Sequence, residues 1–158
     1  MHLIIGRFQG LSTSHIKLIS ESDVVVIIDS GKISKRNPFS FETRERMIRR
    51  IFGESIEIYS YNTGYLPDII KHLETKGLEY LRSIRYIICG EDRIKGYQKQ
   101  LHDQDVCFKT HSRTDGISGT AIRQCLIDND RERFFSLTHP GLHNMFDELR
   151  EELVQALR

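Results

Sequence analysis

Five short apolar runs, several of them rich in β-branched residues, alternate with segments of helical period from one end of this chain to the other. That alternation is the strongest constraint on its fold. A run such as Val24-Val25-Val26-Ile27-Ile28 offers water no polar face, so it must be covered on both sides, as in a parallel sheet wrapped by crossover helices. The fold class is therefore α/β. Strands are expected at His2–Gly6, Val24–Asp29, Ile56–Tyr61, Tyr86–Cys89 and Val106–Thr110. Helices are expected at His15–Glu21, Phe41–Phe52, Tyr65–Lys76, Arg93–His102, Gly119–Asp128 and Gly141–Leu157.

The 158 residues suffice for one good core, and no composition shift marks a second domain. The formal charge is +1 with positive and negative residues interspersed, which speaks against a nucleic-acid or membrane footprint and for a small-molecule partner. Arg44, Arg46, Arg49 and Arg50 do cluster on one expected helix, a pattern that suits a polyphosphate contact or a solvated face. Cys89, Cys107 and Cys125 are too few and too scattered for a disulfide framework or a zinc site. Nor do His111, His139 and His143 show metal-ligand spacing, so no protein metal site is expected. No window approaches the length of a membrane span and no leader pattern opens the chain, so the expected location is the cytoplasm.

In open α/β sheets ligands bind beyond the carboxyl ends of the strands, which directs attention to the loops there. The first runs from Gly6 through Arg7, Phe8, Gln9 and Gly10 to Ser12, Thr13 and Ser14, and opens a helix at His15. Unpartnered N–H groups at a helix start carry partial positive charge and suit a phosphate. The hydroxyls can cap the helix, and the imidazole can hydrogen-bond an oxyanion. A second such turn, Ile117-Ser118-Gly119-Thr120-Ala121-Ile122-Arg123, follows the last expected strand, with Arg123 placed to fold back on phosphate oxygens. Either turn alone is also how ordinary structural βα connections are built.

Taken together and in order, Gly6-Arg7-Phe8-Gln9 with His15, and Ile117-Ser118-Gly119-Thr120 with Arg123, resemble the nucleotidyltransferase superfamily that carries an H-x-G-H and a late I-S-S/G-T-x-x-R signature. Within it the chain is most similar to the nicotinamide-nucleotide (NMN) adenylyltransferases, whose first motif reads G-R-F/M-Q-P-x-H-x-G-H. Asn37-Pro38-Phe39-Ser40, then Arg44 and Met47-Ile48, is similar to that group's D/N-P-F-T-x-x-E-R-x-x-M segment. The resemblance continues through Leu126-Ile127-Asp128-Asn129-Asp130 to Phe135 and so spans essentially the whole chain.

The resemblance implies a Rossmann-like doubly wound sheet over residues 1–158, with a C-terminal helical segment at about 129–158. It implies transfer of the adenylyl group of ATP to NMN with Mg²⁺ present, giving NAD and pyrophosphate. His15 would donate to the α-phosphate, with Arg123 and Ser12 as the other catalytic positions. Gly6, Arg7, Phe8, Gln9, Ser14, Gly90, Asp92, Ile117, Ser118, Gly119 and Thr120 would line the ATP site together with Arg123. Asn37, Phe39, Arg44, Tyr61 and Tyr65 would serve the acceptor, the tyrosines standing in for an aromatic residue, often tryptophan, that this chain lacks. The departures lie in the first motif: Ser12 replaces the first signature histidine, Ser14 the glycine, and Gly10 the proline. Losing one preorganised donor typically lowers a rate by on the order of a hundredfold. Two alternatives therefore stand beside the main reading, a different phosphorylated acceptor and a catalytically impaired nucleotide-binding regulator. The amphipathic terminal segment, with Leu142, Met145, Phe146, Leu149, Leu153 and Leu157, is expected to pack on the domain or on a second copy.

Overall fold

A computed structural model describes residues 2–76, 86–90, 93–101, 107–111 and 119–158. Five parallel strands, β1 (His2–Gly6), β2 (Val24–Ile28), β3 (Glu57–Tyr61), β4 (Tyr86–Gly90) and β5 (Cys107–His111), form one sheet in the order β3-β2-β1-β4-β5. The chain grows outward from β1 to β3 and then returns to the other side of β1 for β4. The order reverses there, so a crevice opens at the carboxyl ends of β1 and β4. The helices are α1 (Thr13–Ser20), α2 (Phe41–Phe52), α3 (Leu66–Thr75), α4 (Ile94–Gln100), α5 (Gly119–Ile127), α6 (Arg131–Leu137) and α7 (Phe146–Ala156), with a 3-10 segment at Pro140–Met145.

Side chains that alternate across each strand feed two cores. Ile4, Val25 and Ile27 pack with Ile19, Met47, Ile48, Ile122, Leu126, Phe134, Phe146 and Leu149 on the face covered by α1, α2, α5, α6 and α7. Leu3, Ile5, Val24, Val26 and Ile87 pack with Leu66, Ile69, Leu73, Tyr97 and Leu101 on the face covered by α3 and α4. The sheet is thus sandwiched between two helical layers, as its uninterrupted apolar strands demand.

Strand and helix positions follow the sequence closely, with one correction. The single helix expected over Gly141–Leu157 is a 3-10 segment followed by α7, and α6 precedes them. Asn129, at φ 55, ends α5 in the left-handed region, and the Asp130 side chain accepts from the Arg133 amide at 3.1 Å to start α6 at once. Extended Thr138 then breaks the helix, and Pro140 with the His139 cap, which accepts from the Gly141 amide at 2.9 Å, begins the tighter turn. Among the described residues no helix is long and apolar enough to cross a membrane.

Candidate functional site

Beyond β1 the backbone makes two moves that bring the β1–α1 loop against the start of α5. Phe8 adopts φ 51, an uncommon conformation for a bulky residue, and its ring lies over Gly6, where a Cβ would come within 3.0 Å of it. Gly10 follows at φ 138, which no proline can adopt, so the departure from the motif's proline has a direct backbone reason. A Cβ on Gly10 would also approach the Gly119 carbonyl to 3.2 Å. The β1–α1 loop and the first residue of α5 are therefore in contact.

Arg123 fastens that contact. One guanidinium nitrogen donates to the Gln9 carbonyl at 2.8 Å and the other to Thr120 Oγ1 at 3.2 Å. Gly119 leaves room for it, since a Cβ there would sit 3.2 Å from Arg123 Nη1. Partial burial lowers the pKa of Arg123, and the positive charges of Arg7 and Arg36 lower it further. Arg7 is lowered in the same way by desolvation, Arg36 and Arg93. Among the described residues neither Arg7 nor Arg123 is ion-paired with a carboxylate, and the charges that act on both are other arginines. This edge of the sheet thus gathers four guanidinium groups, those of Arg7, Arg36, Arg93 and Arg123, from four separate elements. An anion with several oxygens would relieve their mutual repulsion.

The residues expected to contact nucleotide divide into groups. His15 and Ser14 sit half-buried in the first turn of α1, where Phe8 meets the His15 ring edge-on at 6.2 Å. Ser12 is fully buried as the N-cap: its Oγ accepts from the His15 amide at 3.3 Å, while the His15 ring reaches back to Ser12. Gln9 faces inward, its amide pairing with both backbone groups of Phe39 at 2.9 and 3.2 Å. Thr120 and Gly119 lie at the start of α5, and Gly90 closes β4. Asp92, Ile117 and Ser118 lie outside the described residues.

The acceptor-side residues separate likewise. Asn37 receives a hydrogen bond from Arg7 at 3.5 Å, and Tyr65 is 48 % exposed at the N-terminus of α3. Tyr61 tilts against His72 with ring centres 5.0 Å apart. Phe39 and Arg44 are interior, each 1 % exposed. Arg44 donates to the carbonyls of Arg7 and Ile28 at 2.8 Å each, to the carbonyl of Ser40 at 3.1 Å, and to Asp29 at 2.7 Å. It braces the loops after β1 and β2 from beneath.

Arg36, Thr138 and Glu152 belong to this assembly although no sequence pattern singled them out. Thr138 donates to the Leu11 carbonyl at 2.5 Å. Glu152, on α7, accepts from the Ser40 amide at 2.8 Å and from Thr43 Oγ1 at 2.7 Å, holding the start of α2. Only the position of Arg36, directly before Asn37-Pro38-Phe39, could have marked it. Among the described residues no three His, Cys, Asp or Glu side chains come together as a metal site.

No protein-family model matches the chain, and no curated protein matches it in sequence. Among solved structures, the chain is similar to the crystal structure of a bifunctional NMN adenylyltransferase/ADP ribose pyrophosphatase from Francisella tularensis, with a TM-score of 0.70 at 18 % identity. The match covers 98 % of this chain and 52 % of that one, so the chain spans about half the length of its structural relative. At that identity the likeness shows the fold, a Rossmann-like α/β sheet with flanking helices.

Proposed function

We propose that the protein is a nucleotidyltransferase that moves the adenylyl group of ATP onto the 5′-phosphate of NMN, forming NAD and releasing pyrophosphate. The observation that carries this reading is the direct contact of the β1–α1 loop, at Gly10, with the first residue of α5, Gly119, at an edge of the sheet where arginines repel one another. That arrangement suits a triphosphate lying between the two turns. The structural relative's stated adenylyltransferase activity and the ordered motifs of the chain support the same reading.

Adenylyl transfer demands mainly that the acceptor phosphate, the α-phosphorus and the leaving oxygen be held in line while charge is neutralised. In this reading His15 donates to the α-phosphate oxygens and Arg123 takes the β- and γ-phosphates, with Arg7 adding charge beside them. Gly119 and the first amides of α5 approach the phosphates through backbone alone. Mg²⁺ would come to the site on the phosphates themselves, as it commonly does in nucleotide sites, and would neutralise their charge. Tyr65 offers an exposed ring at the same sheet edge for the acceptor's base.

A second reading is favoured by Ser12, whose hydroxyl is occupied inside the protein. The chain then binds ATP or NAD and turns over slowly or takes another phosphorylated acceptor. Incubating purified protein with ATP, Mg²⁺ and NMN, and quantifying NAD by enzymatic cycling, separates the two. NAD formation that His15→Ala abolishes is the expected result. Nucleotide binding without NAD at high enzyme concentration would overturn the first reading in favour of the second.

A further inference from the structure

The contact between Ser12 and His15 contains more than a helix cap. The Ser12 amide points at His15 Nδ1 with a separation of 3.3 Å, and Ser12 Oγ lies 3.0 Å from the same nitrogen. An amide N–H can only donate, so Nδ1 must present a lone pair. Ser12 Oγ already receives the His15 amide at 3.3 Å, and its own hydrogen is then directed at Nδ1. A neutral imidazole whose Nδ1 accepts carries its proton on Nε2.

We propose that Ser12 is a positioning residue that fixes His15 as the Nε2–H tautomer. Where the resemblance places a second donor to phosphate, this chain has a residue that sets the hydrogen of the remaining one. The consequence for catalysis, though not the tautomer itself, rests on the adenylyl-transfer reading. An uncharged Nε2–H donates to an oxyanion, whereas the other neutral tautomer would turn a lone pair toward it. Two further features keep the ring in place. Ser12 is fully buried with extended backbone angles, φ −79 and ψ 167, so its amide and hydroxyl have a fixed direction. Phe8, held in the left-handed region, packs edge-on against the imidazole with ring planes at 81°.

The tautomer is read by nitrogen-15 NMR on histidine-labelled protein, with the His15 signals assigned by their loss in His15→Ala. The expected spectrum at neutral pH shows a protonated Nε2 and an unprotonated Nδ1. In Ser12→Ala the backbone amide still donates to Nδ1 but the hydroxyl donor is gone, so the protonated-Nδ1 fraction rises above the wild-type level and kcat for NAD formation falls. Ser12→Thr, which keeps the hydroxyl and the cap, restores both. A wild-type His15 protonated at Nδ1, or a Ser12→Ala protein with an unchanged tautomer, overturns the proposal. The expected spectrum in a protein that makes no NAD leaves the tautomer assignment standing and removes the reaction assigned to it.

Discussion

Arg44 and Arg123 each open the first or second turn of a helix that meets the β1–α1 loop, yet the protein uses them in opposite ways. The Arg44 side chain is 2 % exposed, and its guanidinium spends its donors on three backbone carbonyls and on Asp29. Burial lowers its pKa, and Asp29, followed by Glu42 and Glu152, acts against that shift. Arg123 is half-buried, holds one carbonyl and one hydroxyl, and has other arginines rather than carboxylates acting on its charge. A compensated buried cation is a structural brace. An uncompensated one at the crevice holds its place at an electrostatic cost that a bound anion would remove. The loops after β1 and β2 are thus built on the first arginine, and the chemistry is assigned to the second.

Removing Arg44 should have the largest effect on the molecule itself. Arg44→Ala strands the carbonyls of Arg7, Ile28 and Ser40 and leaves the partly exposed Asp29 without its cation. Breaking a buried pair of this kind costs about 3 kcal/mol, and urea denaturation would show it as an earlier midpoint with an unchanged slope. Activity would fall with the folded fraction. A protein of normal stability that no longer bound nucleotide would put Arg44 among the ligand-binding residues and erase the contrast.

Arg123→Ala should reverse the pattern. The lost hydrogen bond to Gln9 is offset by relief of repulsion from Arg7 and Arg36, so the stability change is about 1 kcal/mol or less. The rate of NAD formation should fall by on the order of a hundredfold, as for removal of a preorganised donor to developing charge. Inorganic pyrophosphate sharpens the comparison by acting as a ligand of the folded state alone. It should raise the Tm of the wild-type protein and leave that of Arg123→Ala nearly unmoved, while an equal rise in both would place the anion elsewhere.

Much of this architecture is legible in the sequence, because strands such as Val24–Ile28 have one physical solution, burial on both faces. The two glycine-bearing turns are legible as strand-to-helix turns suited to a phosphate, but not their contact, in which Gly10 at φ 138 meets the Gly119 carbonyl so closely that a Cβ would come within 3.2 Å of it. The arginines of α2 are different. Arg44, Arg46 and Arg49 look alike in the sequence, but Arg44 is buried, Arg46 pairs with Glu148 at the surface, and Arg49 returns to the carbonyls of Glu54 and Ile56. Which face a helix turns inward separates them, and the loops that meet that face come from distant parts of the chain. The break before α7 was hidden by periodicity. Leu142 and Met145 are spaced by three, which suits one 3-10 turn as well as an α-helix, so the apolar stripe runs through the junction unbroken. Thr138 and Glu152 reach loops more than a hundred residues away, and no local pattern announces such bonds.

Arg36 provides the finest cut between brace and ligand. It is exposed, it precedes the Asn37-Pro38-Phe39 segment, and its charge bears on both Arg7 and Arg123. Among the described residues it braces no backbone group or carboxylate, so its contribution would be a field at the crevice. Arg36→Gln should therefore leave stability within about 0.5 kcal/mol, as surface substitutions do. The KM for ATP should rise a few-fold with kcat little changed, a shift of about 1 kcal/mol or less in ground-state binding. Salt supplies the internal check, because a Debye length of about 8 Å at physiological ionic strength shrinks to about 3 Å at 1 M and extinguishes an exposed charge acting at a distance. The difference between Arg36→Gln and wild type should disappear in high salt, whereas the loss in Arg123→Ala should persist. A kcat defect in Arg36→Gln that survives 1 M salt would move Arg36 from the field around the phosphates into contact with them.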